Sequence, residues 1–151
     1  MLLTSDAFTS NDVIPLRFTG QSGNFSPPLS WSEAPAGVKS FALVCVDPDA
    51  PSGMFTHWVV FNIPADYQEL KTGLPPKPAL LDGVLQGKND WGEIGYSGPD
   101  PPPGKPHRYY FKLFALDTMI DLPAGISHAD LRARTSGHVL AEADLIGTYG
   151  T

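Results

Sequence analysis

The chain has 151 residues, of which 42% are hydrophobic and 17% are charged, and this composition excludes a disordered protein. Its formal net charge of -6, with ten Lys and Arg residues, opposes binding to nucleic-acid phosphates and to anionic membrane surfaces. One cysteine cannot form an intramolecular disulfide, and no segment approaches the roughly 20 apolar residues of a membrane-spanning helix. We therefore expect one domain over residues 1–151, located in the cytoplasm.

Apolar runs that end at Pro, Gly or Asp predict β-strands along most of the chain. Residues 14–18 and 29–31 form the two shorter runs. The run at 41–46 is continuously apolar, which is typical of a strand buried on both faces. The run at 58–63 is rich in aromatic and β-branched residues, and the longest run covers 109–116.

Helix signals are confined to the C-terminal part of the chain. Ser127, followed three residues later by Asp130, resembles a capping box that opens a short helix. Apolar residues then recur at helical spacing at three positions: Val139, Ala143 and Ile146. Gly147 would cap this second, C-terminal helix, and we assign His128 and His138 to helices as well.

Strands followed by helices predict a mainly β domain. The most favoured arrangement is a sandwich of two antiparallel sheets, with short peripheral helices and the C-terminal helix packed against it. Helices do not alternate with strands, which argues against a doubly wound parallel sheet. The 16 Pro and 15 Gly residues have no period, and they indicate many short elements joined by shaped turns.

The first stretch with chemical interest covers residues 47–58. Two prolines hold the backbone around the carboxylates of Asp47 and Asp49, and Asp side chains favour such turns by bonding nearby amides. The stretch then enters a strand at His57. Strand alternation predicts that His57 lies on the same core-facing side as three apolar residues: Val59, Phe61 and Ile63.

The second stretch covers residues 95–109 and is stiffened by five prolines. It leads directly into the longest predicted strand. His107 and Tyr109 are two residues apart, so we expect their side chains to project from the same face. Arg108 then points the opposite way, where we expect it to clamp carbonyl groups or a carboxylate.

These side chains supply hydrogen-bond donors. An imidazole donates through N–H and a phenol through O–H, while glycine lets backbone amides approach a ligand closely. Such a set suits an oxyanion such as phosphate, carboxylate or sulfate. Because a carboxylate beside an anion would repel it, we expect Asp47 to orient an imidazole instead of touching the ligand.

Two enzymatic interpretations compete with simple binding. One takes four side chains as metal ligands: Asp47, Asp49, His57 and His107. No His-x-His, Glu-x-x-His or Cys-x-x-Cys spacing supports it. The other takes Ser52, His57 and Asp47 as a triad, but no Gly-x-Ser-x-Gly elbow surrounds Ser52. We therefore favour binding without catalysis, metal or cofactor, and keep a hydrolase or metalloenzyme in the same cleft as the alternative.

Several notable residue types have structural explanations. Cys45 lies in the middle of a predicted strand, where a cysteine usually behaves as a small buried hydrophobe. We expect Trp31, Trp58 and Trp91 to lie in the core or in a pocket wall.

Two motifs in this order point to a known family. Asp-Pro-Asp-Ala-Pro at 47–51 is followed by His57 and Trp58, and Gly-Pro at 98–99 is followed by Pro-Pro, a Gly and His-Arg-Tyr at 107–109. Together they resemble the phosphatidylethanolamine-binding (Raf-kinase-inhibitor-like) family in its bacterial and archaeal branch. Segments 24–31 and 137–141 extend the resemblance over nearly the whole chain.

The resemblance implies a Greek-key sandwich with a small anion pocket at one end. The pocket would be formed by six residues: Asp47, Pro51, His57, Gly98, His107 and Tyr109. The supporting positions would be Asp49, Trp58, Pro99 and Arg108. The family binds phosphorylated head groups or phosphoresidues, and its eukaryotic members control kinases, proteases or flowering complexes. We therefore expect a regulator or inhibitor of a kinase, protease or signalling partner, and expect a homodimer by analogy with prokaryotic relatives.

Two features depart from the family pattern. Only five residues separate Pro51 from His57, where mammalian-type members have a long insertion. Asp100 also places a carboxylate in the second loop. Both departures bear on kinase inhibition in particular, because they change the two loops that border the expected pocket.

Overall fold

The computed structural model describes all 151 residues, and its framework is a pair of antiparallel β-sheets. The elements in chain order are β1 (Leu2–Thr4), β2 (Leu29–Ser32), β3 (Ser40–Asp47), β4 (Phe55–Pro64), β5 (Glu69–Leu70), β6 (Leu85–Gln86), β7 (His107–Leu116), α1 (His128–Thr135) and β8 (Val139–Tyr149). Two short 3-10 helices lie at Leu16–Phe18 and Leu81–Gly83. The predicted mainly β, two-sheet antiparallel architecture is confirmed. No helix of the chain is both long and apolar enough to cross a membrane.

The larger sheet has the strand order β6-β4-β3-β7-β8, and the smaller sheet has the order β1-β2-β5. Strand β3 therefore lies between β4, which follows it in sequence, and β7, which begins directly after the second proline-rich loop. Since all pairings are antiparallel, the end of β3 lies beside the starts of β4 and β7. Both predicted loops consequently meet at one edge of this sheet.

Two apolar clusters cover the two faces of the larger sheet. The first joins it to the smaller sheet, and its members include Trp31, Phe41, Trp58, Tyr109 and Phe111. The second covers the opposite face, and it includes Ala42, Val44, Val59, Phe61 and Leu131 of α1. Every residue of β3 is buried, which explains why its sequence is continuously apolar instead of alternating.

The C-terminal helix predicted from residue 139 is wrong, because this segment forms β8. It pairs with β7 along its whole length, from His107–Tyr149 to Leu116–Val139. The apolar residues of this segment are spaced as in a helix, but the segment forms a strand because the long ladder satisfies the backbone hydrogen bonds of both strands. Gly147 is no helix cap either: a Cβ there would lie 2.4 Å from Cγ1 of Ile14, so its role is close packing.

Three further predictions, one for residues 14–18 and two for the region around α1, had mixed outcomes. The capping box is confirmed: the Ser127 hydroxyl accepts from the Asp130 amide, and the Asp130 carboxylate accepts from the Ser127 amide. His128 lies in α1, but His138 lies outside it, in the link to β8. The strand predicted at 14–18 is wrong, because Pro15 cannot donate to a ladder and the chain turns into a 3-10 helix.

Candidate anion-binding site

The expected site residues come from three neighbouring strand ends. Asp47 ends β3 and pairs with Phe55 at the start of β4. Val46 pairs with Tyr110 of β7, which places His107 and Tyr109 at the same edge. Two loops that are far apart in sequence therefore present their imidazole and phenol rings side by side.

A β-bulge aims the His57 ring into this site. Cys45 pairs with Trp58 and Val46 pairs with Thr56, so His57 has no direct partner on β3. The prediction that His57 shares a face with Val59, Phe61 and Ile63 is therefore wrong for Val59 and Phe61, whereas Ile63 does lie in the first cluster. Val59 and Phe61 pack in the second cluster, whereas the His57 ring meets Tyr109 of the first cluster edge-to-face, with centroids 5.2 Å apart. Bulges commonly redirect a side chain beside a functional site.

The His57 ring is held by one backbone segment. Its Nδ1 lies 2.7 Å from the Ser97 carbonyl oxygen, and the Ser97 amide donates to the His57 carbonyl at 3.1 Å. The residue is only 3% exposed. Burial lowers the pKa of His57 below its ordinary value, and the hydrogen bond to Ser97 and the field of Asp47 offset that effect only in part. The ring is therefore neutral near neutral pH.

The His107 ring is held by a carboxylate. Its Nδ1 lies 2.7 Å from Oδ2 of Asp47, while Oδ1 of Asp47 accepts the Asp49 amide at 2.7 Å. Asp47 is 3% exposed, so both of its oxygens are engaged away from bulk water. This is the orienting position that we expected for Asp47.

Tyr109 lies between the two imidazoles. Its ring is edge-to-face with His57 and stacked on His107, with centroids 6.4 Å apart at an interplanar angle of 23°. Burial, together with the nearby carboxylate of Asp47, raises the pKa of the Tyr109 phenol. The hydroxyl consequently keeps its proton and can donate a hydrogen bond at all physiological pH values.

Three polar atoms at this edge have no protein partner: Nε2 of His57, Nε2 of His107 and the Tyr109 hydroxyl. None of them is sealed inside the protein, because the only enclosed side-chain nitrogen or oxygen without a partner is Nε1 of Trp31. Tyr109 is nevertheless only 1% exposed. Nearly buried rings with open polar tips are the arrangement expected of a small ligand pocket.

Gly98 is close to this group, but for a different reason than we expected. Its amide donates to Oδ1 of Asn24 at 2.6 Å, so it is already engaged within the protein. A Cβ at Gly98 would lie 2.2 Å from the Phe18 carbonyl oxygen, and glycine is needed there for close packing. Pro99 is buried next to it, and its carbonyl accepts the Gly20 amide at 2.8 Å.

Asp49 and Arg108 form a clamp beside the site. Nε and Nη2 of Arg108 donate to the two carboxylate oxygens at 2.9 and 2.8 Å, and the Arg108 amide donates to the same carboxylate. The hydrogen bonds from Arg108 lower the pKa of Asp49 to about 2. The clamp ties the turn after β3 to the start of β7, on the face opposite His107 and Tyr109.

Two further expected residues lie on either side of His57 in the sequence. Pro51 is in an exposed turn at 48–53. Trp58 is fully buried in the core, where its Nε1 donates to Oε1 of Gln86 at 2.8 Å and its ring packs on Tyr96. The bulge at His57 explains why these two neighbours in sequence differ: the His57 ring lies at the site, whereas the Trp58 ring lies in the first cluster.

Two aromatic residues complete a wall that the sequence did not single out as a unit. Trp91 and Phe55 meet the His57 ring edge-to-face, with centroids 5.1 and 5.2 Å away. Trp91 is 47% exposed, so it forms the outer rim. Asp90 anchors this rim because its carboxylate accepts the Thr56 amide at 2.7 Å. The sequence analysis expected Trp91 in the core or in a pocket wall, and it assigned no role to Phe55.

Two cavities of the chain differ in their relation to these open atoms. A cavity of about 690 Å³ is lined by residues 67–84 and contains none of the predicted site residues. A depression of about 390 Å³ is lined by His107 together with Asp49, Arg108 and residues 102–106. A compact oxyanion needs converging polar groups more than volume, so the shallow edge with the three open atoms is the better candidate.

Neither enzymatic arrangement considered for the sequence is assembled. Asp47 bonds His107, whereas the Nδ1 of His57 bonds the Ser97 carbonyl, so the Ser52–His57–Asp47 relay is not formed. No three His, Cys, Asp or Glu side chains are grouped so that they could hold a metal ion together. Cys45 is fully enclosed, and burial raises the pKa of its thiol well above the ordinary value.

Comparison with known proteins identifies the family. The sequence model of the phosphatidylethanolamine-binding protein family matches residues 4–150. The chain belongs to the phosphatidylethanolamine-binding protein family. The resemblance inferred from the two loop motifs is thereby confirmed, and it extends over nearly the whole chain as expected.

Relatives of this family occur in archaea and bacteria. A UPF0098 protein of Methanothermobacter thermautotrophicus is 52% identical over 99% of this chain and 98% of its own length. The UPF0098 protein YbhB of Escherichia coli is 42% identical over 99% of both chains. Among solved structures, Escherichia coli YbcL, described as a new member of the mammalian PEBP family, superposes with a TM-score of 0.93 at 34% identity, covering 99% of this chain and 98% of that one.

Proposed function

We propose that the chain binds a small anionic, phosphate-bearing group at this edge without catalysing a reaction on it. The observation that carries the proposal is the set of three unpartnered polar atoms on nearly buried rings, from His57, His107 and Tyr109. The Tyr109 hydroxyl donates in any protonation state of its neighbours. Nε2 of His107 adds a second polar atom, on a ring that the Asp47 carboxylate holds in place.

The surroundings of the site favour binding over turnover. A nucleophile would need to face the ligand, but the one thiol is enclosed and Ser52 lies in an exposed turn. The rings are also fixed in place by the Ser97 carbonyl, the Asp47 carboxylate and mutual stacking. Such preorganisation limits the entropy lost when a ligand binds.

The proposal includes a regulatory role toward a kinase, a protease or another signalling partner, in the cytoplasm and as a homodimer. The exposed, proline-rich lip at residues 102–106 borders the His107 side of the site. Proline stiffens this lip, so that a partner protein would meet a surface with little conformational freedom to lose. An anion in the pocket would then add negative charge to the surface that the partner meets.

Calorimetric titration with inorganic phosphate tests the binding step. We expect wild-type protein to bind one phosphate, and Tyr109→Phe to bind it about fivefold to tenfold more weakly, because one hydrogen bond is lost. His138→Ala is the matched control: this exposed residue pairs with Asp117 away from the site, and its affinity should equal that of wild type. Equal affinities for all three proteins, or no heat of binding at millimolar phosphate, would overturn the proposal.

A second measurement separates binding from catalysis. Methyl phosphate incubated with the protein should be recovered unchanged, and metal analysis should find no stoichiometric metal in the purified chain. Release of phosphate that depends on His57 would instead support the hydrolase alternative.

A further inference from the structure

The larger cavity of the chain reaches the hydrophobic core. Its volume of about 690 Å³ lies within the roughly 300–1,000 Å³ that is typical of small-molecule pockets. Leu70 and Val84 line it and also belong to the first apolar cluster, and they are only 4% and 2% exposed. Leu74 and Leu80 line it as well, and they pack against the same cluster. A ligand in this cavity would therefore contact a continuous apolar surface.

Hydrogen bonds fix one wall of the cavity at both of its ends. The Ser26 hydroxyl accepts the Leu74 amide at 2.9 Å. At the other end, the buried side-chain amide of Gln86 donates to the carbonyl oxygens of Pro75 and Lys77, at 2.8 and 3.0 Å. The wall is therefore formed before any ligand arrives, so that binding costs little conformational entropy.

The turn at residues 81–83 forms part of the rim. The Asp82 carboxylate accepts a hydrogen bond from the Tyr67 hydroxyl, and the Leu80 amide donates to the Val84 carbonyl at 2.8 Å. This turn holds Leu81 at the cavity with 82% of its surface exposed. A hydrocarbon chain that covers Leu81 would remove apolar surface from water, which favours binding.

The charges around the cavity favour an anionic head group. Lys71 and Lys77 line it together with one carboxylate, that of Glu69. Neither ammonium group is paired, because Lys112 is the only lysine of the chain that forms an ion pair. On a chain whose net charge is -6, this border is locally positive. Ammonium groups bind carboxylates through strong, charge-assisted hydrogen bonds.

We propose that this cavity binds a medium-chain fatty-acid anion. Its hydrocarbon tail would lie against Leu70 and Val84, and its carboxylate would lie between Lys71 and Lys77. The cavity shares no lining residue with the oxyanion site at the ends of β3, β4 and β7. This inference therefore does not rest on the proposed function, and each of the two can fail without the other.

Three ligands separate the contribution of the tail from that of the head group. Calorimetric titration of the full chain should give about fivefold to tenfold tighter binding of decanoate than of octanoate, because two further CH₂ groups leave water. Decyltrimethylammonium has a tail of the same length but a positive head group. It should bind about tenfold more weakly than decanoate, because the two lysines repel it.

Two pairs of variants assign decanoate binding to the cavity. Leu81→Asp places a carboxylate at the rim and should weaken decanoate about tenfold, whereas Leu16→Asp, at a leucine 54% exposed elsewhere, should bind as wild type does. Lys77→Gln should weaken decanoate about threefold to fivefold, whereas Lys39→Gln, an exposed lysine outside the cavity, should have no effect. All four positions are exposed, so the variants should fold.

NMR spectra of the wild-type chain locate the ligand independently of any variant. Decanoate should shift the methyl resonances of Leu74, Leu80 and Val84 and leave the rings of His57 and His107 in place. Shifts of the two imidazoles alone would overturn the inference and assign the carboxylate to the oxyanion site. Equal affinities for octanoate and decanoate, equal affinities for decanoate and the cation, or no binding at millimolar decanoate would also overturn it. So would sedimentation that shows a wild-type dimer and a Leu81→Asp monomer, because a second copy of the chain would then cover the cavity.

Discussion

Nδ1 of His107 and Oδ2 of Asp47 lie 2.7 Å apart, although 60 residues separate them in sequence. The contact joins the end of β3 to the start of β7, and it fixes the imidazole through a carboxylate that is itself nearly buried. The other carboxylate oxygen holds the Asp49 amide, so one side chain organises both the turn and the ring. We therefore expect stability and phosphate binding to be coupled at Asp47.

Asp47→Asn tests that coupling. The amide group can keep only one of the two acceptor bonds, so we expect the free energy of unfolding to fall by about 1–3 kcal/mol in denaturant titrations. Asp117→Asn is the matched control, since Asp117 holds His138 at the same 2.7 Å but both side chains are exposed. That change should cost at most about 1 kcal/mol. Equal losses in the two variants would contradict a special role for the buried pair.

Gly98→Ala tests the close approach of the second loop to the Phe18–Thr19 backbone. The new methyl group would lie 2.2 Å from a carbonyl oxygen, so the loop must move. We expect a loss of about 1–3 kcal/mol in stability, together with weaker phosphate binding, because the displaced loop carries the Ser97 carbonyl that holds His57. Lys105→Ala, in an exposed part of the same loop, should leave stability within about 0.5 kcal/mol. A stable Gly98→Ala protein with normal binding would contradict this packing.

Much of the fold followed from the sequence, and the two exceptions have different causes. Strands β3, β4 and β7 and the Ser127 capping box were predictable because their signals are local. The C-terminal segment was predicted as a helix, yet it forms β8 because it pairs with β7. That pairing joins residues far apart in sequence, so the local sequence of the segment does not reveal it. The strand predicted at 14–18 failed for a local reason, since Pro15 cannot donate to a ladder.

The site was partly predictable for similar reasons. Alternation correctly placed His107 and Tyr109 on one face and Arg108 on the other. It failed at His57, because a bulge depends on the register between two strands and has no signature of its own here. Trp91 could not be placed against His57 from the sequence, since that contact depends on how the loop after β6 is anchored by Asp90.

Removal of the rim tests whether burial controls the protonation of His57. In Trp91→Ala, water would reach the imidazole, and the pKa of His57 should rise toward its ordinary value of about 6.5. NMR titration of the ring resonances measures the change directly. Trp91→Phe keeps most of the apolar cover and should show a smaller rise. An unchanged His57 titration in Trp91→Ala would contradict the burial argument.

Acidification should destabilise the fold through two histidines. Burial lowers the pKa values of His57 and His128 in the folded chain. The unfolded chain therefore takes up protons first as the pH falls through about 6.5, and the free energy of unfolding should decrease from pH 7.5 to pH 5.5. His128→Gln should make this decrease shallower in denaturant titrations. The same slope in wild type and variant would show that His128 does not contribute.

The four histidines provide the most direct test of the site. Protein with ¹⁵N-labelled histidine should be titrated with methyl phosphate at pH 6 while all four rings are observed. We predict that the resonances of His57 and His107 move together with one dissociation constant, while those of His128 and His138 stay in place. Uniform small shifts of all four rings, or movement of His128 or His138 alone, would contradict a shared oxyanion site at the ends of β3, β4 and β7.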